Sequence, residues 1–302
     1  MTRRNIRLLV QLSRPFFLLG GFLLVAVGSL IARSMGEVID PVLYFQCQAI
    51  VSTLQLMVHF SNEYFDAPGD RGNRQRTPFS GGSGALALGG LSRSVAAWGA
   101  AAAAVGFALV FGRMLMTGAA ANLSKWVIAA MAFGAWSYSA PPLRLVERGL
   151  GEIVASLVVA VLVPTLAFTL QADFLAWGLV LAVLPLFLFH GAMLMVLEIP
   201  DVEADLQSGK RTLVARLGVP ASVRLHLIVI VLGVAALVTS RIIELGPLLW
   251  WPVLIVGLAA CGHVVQLRRS VRSGSGWTWT AGAAVGLFAL TALAEAVGFL
   301  SA

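Results

Sequence analysis

The chain has 302 residues, 59% of them hydrophobic and only 12% charged, with a mean hydropathy of +0.89. A soluble core cannot bury that much apolar sequence, so the composition excludes an ordinary soluble domain and places the chain among all-α polytopic membrane proteins. The net charge of +7 is no sign of nucleic-acid binding, because no polar basic domain is available to contact DNA or RNA.

In chain order, Arg3, Arg4 and Arg7 precede an apolar stretch at 15–33, in the manner of a secretory signal. The stretch is longer than a signal's apolar core and others follow it, so it reads as a retained first helix. Further stretches able to cross about 30 Å of hydrocarbon lie at 41–60, 94–112, 123–140, 150–170, 174–196, 222–240, 246–266 and 277–299. About nine helices around a central cavity are therefore expected, as one transmembrane domain over 1–302. The second span runs directly into Asn62-Glu63-Tyr64-Phe65-Asp66-Ala67-Pro68-Gly69-Asp70, and the sixth into Glu198-Ile199-Pro200-Asp201-Val202-Glu203-Ala204-Asp205. The connections that carry these segments, 61–93 and 197–221, are unusually long and are expected to cap the cavity. Between them, Pro141-Pro142-Leu143-Arg144 is short and stiff, since each proline sets its own φ and restricts the residue before it. Cys47 and Cys261 fall inside spans and read as packing residues rather than a disulfide or metal pair.

Nine spans distribute the connections between two sides of the membrane. All 21 Lys and Arg except Arg33, Arg113, Lys125 and Arg241 fall on one side. That asymmetry predicts a cytoplasmic N-terminus in the cell's inner membrane, with both acidic segments on the cytoplasmic side.

Half of the 14 acidic residues sit in the two segments. A carboxylate beside a bilayer is costly unless a cation holds it, so such clusters mark a functional site. Asn62, Asp66 and Asp70 are spaced by four and form one helical stripe drifting about 40° per step. Asp201 and Asp205 repeat that spacing, with Glu198 three residues before. Oxygen-only ligands so spaced suit Mg²⁺, which keeps waters and binds phosphate oxygens beside one or two carboxylates. The expected metal set is thus Asn62, Asp66, Asp70, Glu198, Asp201 and Asp205. Pro68 and Pro200 lie between members of each motif and are expected to kink or end the helix there. Basic residues trail both motifs: Arg71, Arg74 and Arg76 behind the first, Lys210 and Arg211 behind the second. Guanidinium and ammonium groups pair with phosphate oxygens. Ser80-Gly81-Gly82-Ser83-Gly84 offers backbone N–H groups to an anion, a flexible loop being the alternative.

These residues resemble the UbiA superfamily of intramembrane aromatic prenyltransferases, which carry N-x-x-x-D-x-x-x-D after the second helix and D-x-x-x-D after the sixth. Tyr138-Ser139-Ala140-Pro141-Pro142-Leu143-Arg144 is similar to the family's tyrosine-to-basic segment. Asp205 to Gly218 is similar to the menaquinone-branch enzymes, which prenylate 1,4-dihydroxy-2-naphthoate, and Glu198 stands where many relatives have Asn or Asp. The resemblance implies Mg²⁺-dependent transfer of a polyprenyl chain from its diphosphate to an aromatic acceptor, in a cavity that opens sideways to the lipid bilayer. Asp66, Asp70, Asp201, Asp205 and Tyr138 would form the catalytic set, and Asn62, Arg71, Arg144, Lys210 and Arg211 would hold the diphosphate. Tyr138 or Tyr64 would shelter an allylic cation, with interfacial anchoring the favoured role of Tyr64. His59, His190, His226 and His263 are candidate proton acceptors, His59 the best placed, although plain packing is the weightier reading. Another acceptor, such as 4-hydroxybenzoate or a lipid, stays open. From a different class, a secondary transporter also has buried acids and broken helices; its acids would sit near the bilayer midplane instead of at helix ends.

Overall fold

The computed structural model describes residues 3–70, 75–86, 90–120, 122–245 and 250–301, and of Asp70, Glu244 and Leu245 the backbone only. Every regular element among the described residues is helical. A short amphipathic helix, α1 (Arg3–Leu12), precedes α2 (Pro15–Ser34), α3 (Pro41–Asp70), α4 (Arg93–Thr117) and α5 (Asn122–Ser139). A 3₁₀ turn (Leu145–Arg148) then leads into one run made of α6 (Gly151–Ser156), a π-helical stretch (Leu157–Leu162) and α7 (Val163–Ala172). The next run is α8 (Trp177–Glu198), a 3₁₀ turn (Ile199–Asp201) and α9 (Val202–Gln207). After α10 (Leu213–Leu217) come α11 (Val219–Ser240), extended by a π-helical turn (Arg241–Leu245), α12 (Trp251–Ser273) and α13 (Trp277–Leu300).

Among the described residues, eight runs are long and apolar enough to cross a membrane. The stretch predicted at 123–140 does form a helix, α5, packed on α3 and α7. Its 18 residues include Asn122, Lys125 and the run Ser137-Tyr138-Ser139. So short a helix cannot leave these polar positions outside a spanning window, and they lower its hydropathy. The expected count of nine is therefore not reached on hydropathy, although the helix is in place. Around the bundle, α2 packs on α3, α7 and α13, while α8 packs on α11 and α13. Contact between α2 and α13 closes the ring. α4 packs chiefly on α3 and turns Trp98, Leu109 and Met116 outward, the side on which lipid replaces protein.

Helix ends follow local chemistry. Prolines open α2, α11 and α12, at positions where an N–H has no intrahelical partner anyway. Gly118 and Gly274 close α4 and α12 in the left-handed region, where a side chain would be strained. The π-helical stretch ends just before Pro164, whose missing N–H interrupts the α ladder. There α2 comes so close that a Cβ on Gly28 would collide with the Pro164 carbonyl. Gly28 therefore sets the α2–α7 distance.

Two sequence expectations are corrected. Pro68 does not end its helix: α3 continues to Asp70. The Tyr64 carbonyl, which a proline four residues later cannot serve, instead accepts from Arg93 Nε at 3.0 Å and Nη2 at 2.7 Å. Pro200 does mark a break, where α8 tightens into the 3₁₀ turn. Arg241, expected in a connection outside the membrane, is 1% exposed. Its Nη2 donates to Ala294 O at 2.6 Å and to Glu295 Oε2 at 3.2 Å.

Candidate active site

At the end of the bundle where α3 and α8 run out, a cavity of about 600 Å³ opens between them. Asn62 and Asp66 line it from α3, Glu198 from the end of α8, Asp201 from the 3₁₀ turn and Asp205 from α9. Tyr138, Arg144 and Lys210 complete its polar wall. The two acidic segments, remote in sequence, thus share one cavity. Where α3 meets the α9–α10 turn, a Cβ on Gly69 would stand 3.1 Å from the Ser208 side chain, so glycine permits this close approach.

The turn that ends α9 also places its lysine. Gly209 takes φ +81°, and the Lys210 N–H donates to the Asp205 carbonyl at 2.8 Å. The chain folds back, and the Lys210 ammonium lies 2.9 Å from Asp66 Oδ2 and 3.9 Å from Asp205 Oδ1. Burial by itself would lower the Lys210 pKa; the carboxylates of Asp66 and Asp205 outweigh it and hold the pKa well above its ordinary value. Lys210 is therefore the cation that joins the two motifs.

Glu198 lies against a residue the sequence reading missed, Glu152 of α6. Glu152 Oε1 accepts from the Leu213 N–H at 2.7 Å and so anchors α10. Glu152 Oε2 and Glu198 Oε2 are buried, and apart from each other's carboxyl they have no hydrogen-bond partner among the described residues. Glu152 falls inside the span predicted at 150–170, and an acid within a span is itself the signal that marks such a residue.

The other sequence candidates divide. The Asn62 side-chain Oδ1 accepts from Ser139 Oγ at 2.9 Å. Arg144 reaches the cavity while pairing with Glu147 at 3.2 Å and lying 5.7 Å from the Phe65 ring. Arg211 is exposed and does not line the cavity; its N–H donates to Glu147 O at 3.2 Å. Arg76 is half-buried and also outside the lining. Arg71, Arg74 and the Asp70 side chain lie outside the described residues. Ser80, Gly81 and Gly82 do line the cavity, but Ser83 is committed elsewhere: its N–H and Oγ donate to Glu63 at 2.5 and 2.9 Å. Glu63, inside the first motif, is structural, for it also pairs with Arg14 at 2.5 Å. Tyr64 packs under the Arg93 guanidinium, 4.3 Å from its ring centre, and leaves the cavity to Phe65. His226 and His263 pack together between α11 and α12, ring centres 5.2 Å apart, away from the cavity. His59 and His190 line it.

Among the described residues no three acidic, histidine or cysteine side chains converge on one point. The predicted metal set is instead gathered around the cavity, with Lys210 between its two halves. Its donors are hard oxygens, and the buried carboxyl oxygens Glu152 Oε2 and Glu198 Oε2 are acceptors that a divalent cation would satisfy. The cavity shares Val58, His59, His190 and Met193 with an adjacent apolar chamber of about 350 Å³, bounded by Leu19 and Leu23 of α2 and by Val285 and Ala292 of α13.

This architecture matches known proteins. Residues 21–290 match the model of the UbiA prenyltransferase family. A 1,4-dihydroxy-2-naphthoate octaprenyltransferase of Bacillus subtilis (strain 168) is 24% identical over 219 residues, covering 72% of this chain and 68% of that protein. A solved structure of a digeranylgeranylglyceryl phosphate synthase superposes with a TM-score of 0.65 at 16% identity, over 99% of both chains. A UbiA homologue from Archaeoglobus fulgidus, bound to GPP and Mg²⁺, superposes with a TM-score of 0.62 at 13% identity, over 95% of this chain and 99% of that one. At such identities the solved structures establish a shared fold.

Proposed function

The chain belongs to the UbiA prenyltransferase family, and from that premise we propose that it transfers a polyprenyl group from its diphosphate to 1,4-dihydroxy-2-naphthoate, in menaquinone synthesis. The observation that carries this reading is the pairing of Asp66 and Asp205 through Lys210 at the polar end of a cavity whose other end is apolar. A diphosphate needs cations and a polyprenyl chain needs a dry, apolar channel; the two chambers offer these in series. The octaprenyltransferase relative supports the naphthoate, and the GPP and Mg²⁺ bound to the A. fulgidus homologue support the diphosphate and the metal.

Asn62, Asp66, Glu198, Asp201 and Asp205, with Asp70 at the end of α3, would hold Mg²⁺, which when bound neutralises diphosphate charge. Lys210 and Arg144 bind the same oxygens and stabilise the charge that develops as the allylic C–O bond breaks; Arg71 is assigned here from its place in the sequence. Arg211 does not line the cavity and has no part in this site. Tyr138 and Phe65 line the cavity and offer aromatic rings suited to a nearby cationic carbon. The apolar chamber keeps the isoprenoid out of water, at a saving of about 0.8 kcal/mol per CH₂. The excess of basic residues at this end supports a cytoplasmic site in the inner membrane, and the acids at helix ends argue against a midplane transport site.

Purified protein in detergent, given a labelled prenyl diphosphate and candidate aromatic acids, tests the reading by mass spectrometry of the product. A prenylated naphthoquinol precursor is expected, with EDTA abolishing turnover and added Mg²⁺ restoring it. Turnover insensitive to EDTA would refute the metal, and a product on 4-hydroxybenzoate or a lipid would refute the naphthoate.

A further inference from the structure

Where the polar cavity adjoins the apolar chamber, both are lined by the same two histidines, His59 of α3 and His190 of α8. Each imidazole is fixed through Nδ1. His59 Nδ1 lies 2.9 Å from the Ser13 carbonyl. A carbonyl only accepts, so the proton sits on Nδ1 and Nε2 carries the free lone pair. His190 Nδ1 lies 3.0 Å from Ser156 Oγ, a hydroxyl that serves either tautomer. Each ring also meets an aromatic edge: Phe17 against His59 at 6.2 Å, and Phe288 against His190 at 4.9 Å. Phe17 and Phe288 both line the apolar chamber. The junction therefore combines two oriented imidazoles with two aromatic rings, next to the diphosphate end of the cavity.

Such a combination is suited to a planar ring bearing oxygens. A ring hydroxyl donates to an imidazole lone pair, and the aromatic edges pack its apolar body. On the reading of the site as a prenyltransferase centre, we propose that this junction is the acceptor subsite: His59 Nε2 accepts a hydrogen bond from a ring hydroxyl, His190 contacts a second ring oxygen, and Ser13 and Ser156 are the positioning partners of the two imidazoles. The subsite would select hydroxylated aromatic rings over their ethers, since an ether oxygen has no proton to donate.

The test compares a hydroxynaphthoate acceptor with its methyl ether as competing ligands of the full-length protein, at saturating prenyl diphosphate. The wild type is expected to prefer the hydroxyl compound. In His59→Phe and His190→Phe the acceptor KM should rise about tenfold, the worth of one well-placed hydrogen bond, and the preference over the ether should collapse. The KM for prenyl diphosphate should stay within about twofold, because the groups that face its diphosphate are untouched and phenylalanine keeps the chamber wall apolar. His59→Gln, whose amide oxygen still accepts, should recover part of the preference. Ser156→Ala leaves both rings in place and should weaken acceptor binding alone, which keeps the test valid if a phenylalanine variant fails to fold. A preference unchanged in the His59 and His190 variants, or a diphosphate KM that rises with the acceptor KM, would overturn the subsite while leaving prenyl transfer intact. A wild type that prenylates no aromatic compound would overturn both together, so the two failures are distinguishable.

Discussion

Glu63 and Asp66 stand three residues apart on α3, yet their carboxylates meet different cations. Asp66 receives the Lys210 ammonium inside the cavity, while Glu63 is given over to Arg14 and Ser83. Neighbouring acids of one motif therefore play separate parts, and substitutions should tell them apart. Asp66→Asn is expected to lower turnover by about 10²–10³-fold, with a smaller fall in melting temperature than Glu63→Ala because Asp205 still faces Lys210. Glu63→Ala removes the carboxylate that Arg14 and Ser83 share and should cost about 3 kcal/mol of stability, read as a fall in melting temperature. Lys210 makes a pH prediction. Its folded pKa lies above the ordinary value, so its stabilisation is complete below about pH 10 and is lost only as pH rises through the higher folded value. The gap in melting temperature between wild type and Lys210→Met should thus stay constant from about pH 7 to about pH 10 and shrink above it.

At the scale of single helices, α3 shows how a proline can lie in a last turn without ending it. The Tyr64 carbonyl loses its helical donor to Pro68 and gains Arg93, at the start of α4. Removing Arg93 takes both donors from that carbonyl, and Arg93→Ala should cost about 0.5–1.5 kcal/mol. In a Pro68→Ala background the helix can supply its own N–H, so the same substitution should cost much less. Melting temperatures of the four proteins in this cycle measure the coupling; equal costs in both backgrounds would show that Arg93 does not serve the Tyr64 carbonyl.

Across the whole molecule, the Arg241–Glu295 pair joins the end of α11 to α13, the helix that walls the apolar chamber together with α2. Both side chains are buried, and Arg241 Nε and Nη1 and Glu295 Oε1 lack hydrogen-bond partners among the described residues. A buried pair is costly to break and cheap to replace as a unit. Glu295→Leu alone should destabilise by about 3–5 kcal/mol, whereas Arg241→Met with Glu295→Leu should return close to wild type. Thermal unfolding in a fixed detergent decides it: a double variant as unstable as the single one would mean that the pair does more than hold α11 to α13.

Much of this protein could be read along the chain. Spanning helices need a long apolar stretch, which is a local property, so eight of the predicted spans reappear as spanning runs and the ninth as a helix. The acidic motifs and Lys210 stand out because charge is rare in such a sequence. Pairing between distant residues is not a local property. Lys210 between Asp66 and Asp205, Glu152 against Glu198, Glu63 turned to Arg14 and Arg241 buried against Glu295 all depend on which helices become neighbours. Hydropathy reports how a segment partitions between water and lipid, while the partner of a buried charge is set by packing in three dimensions.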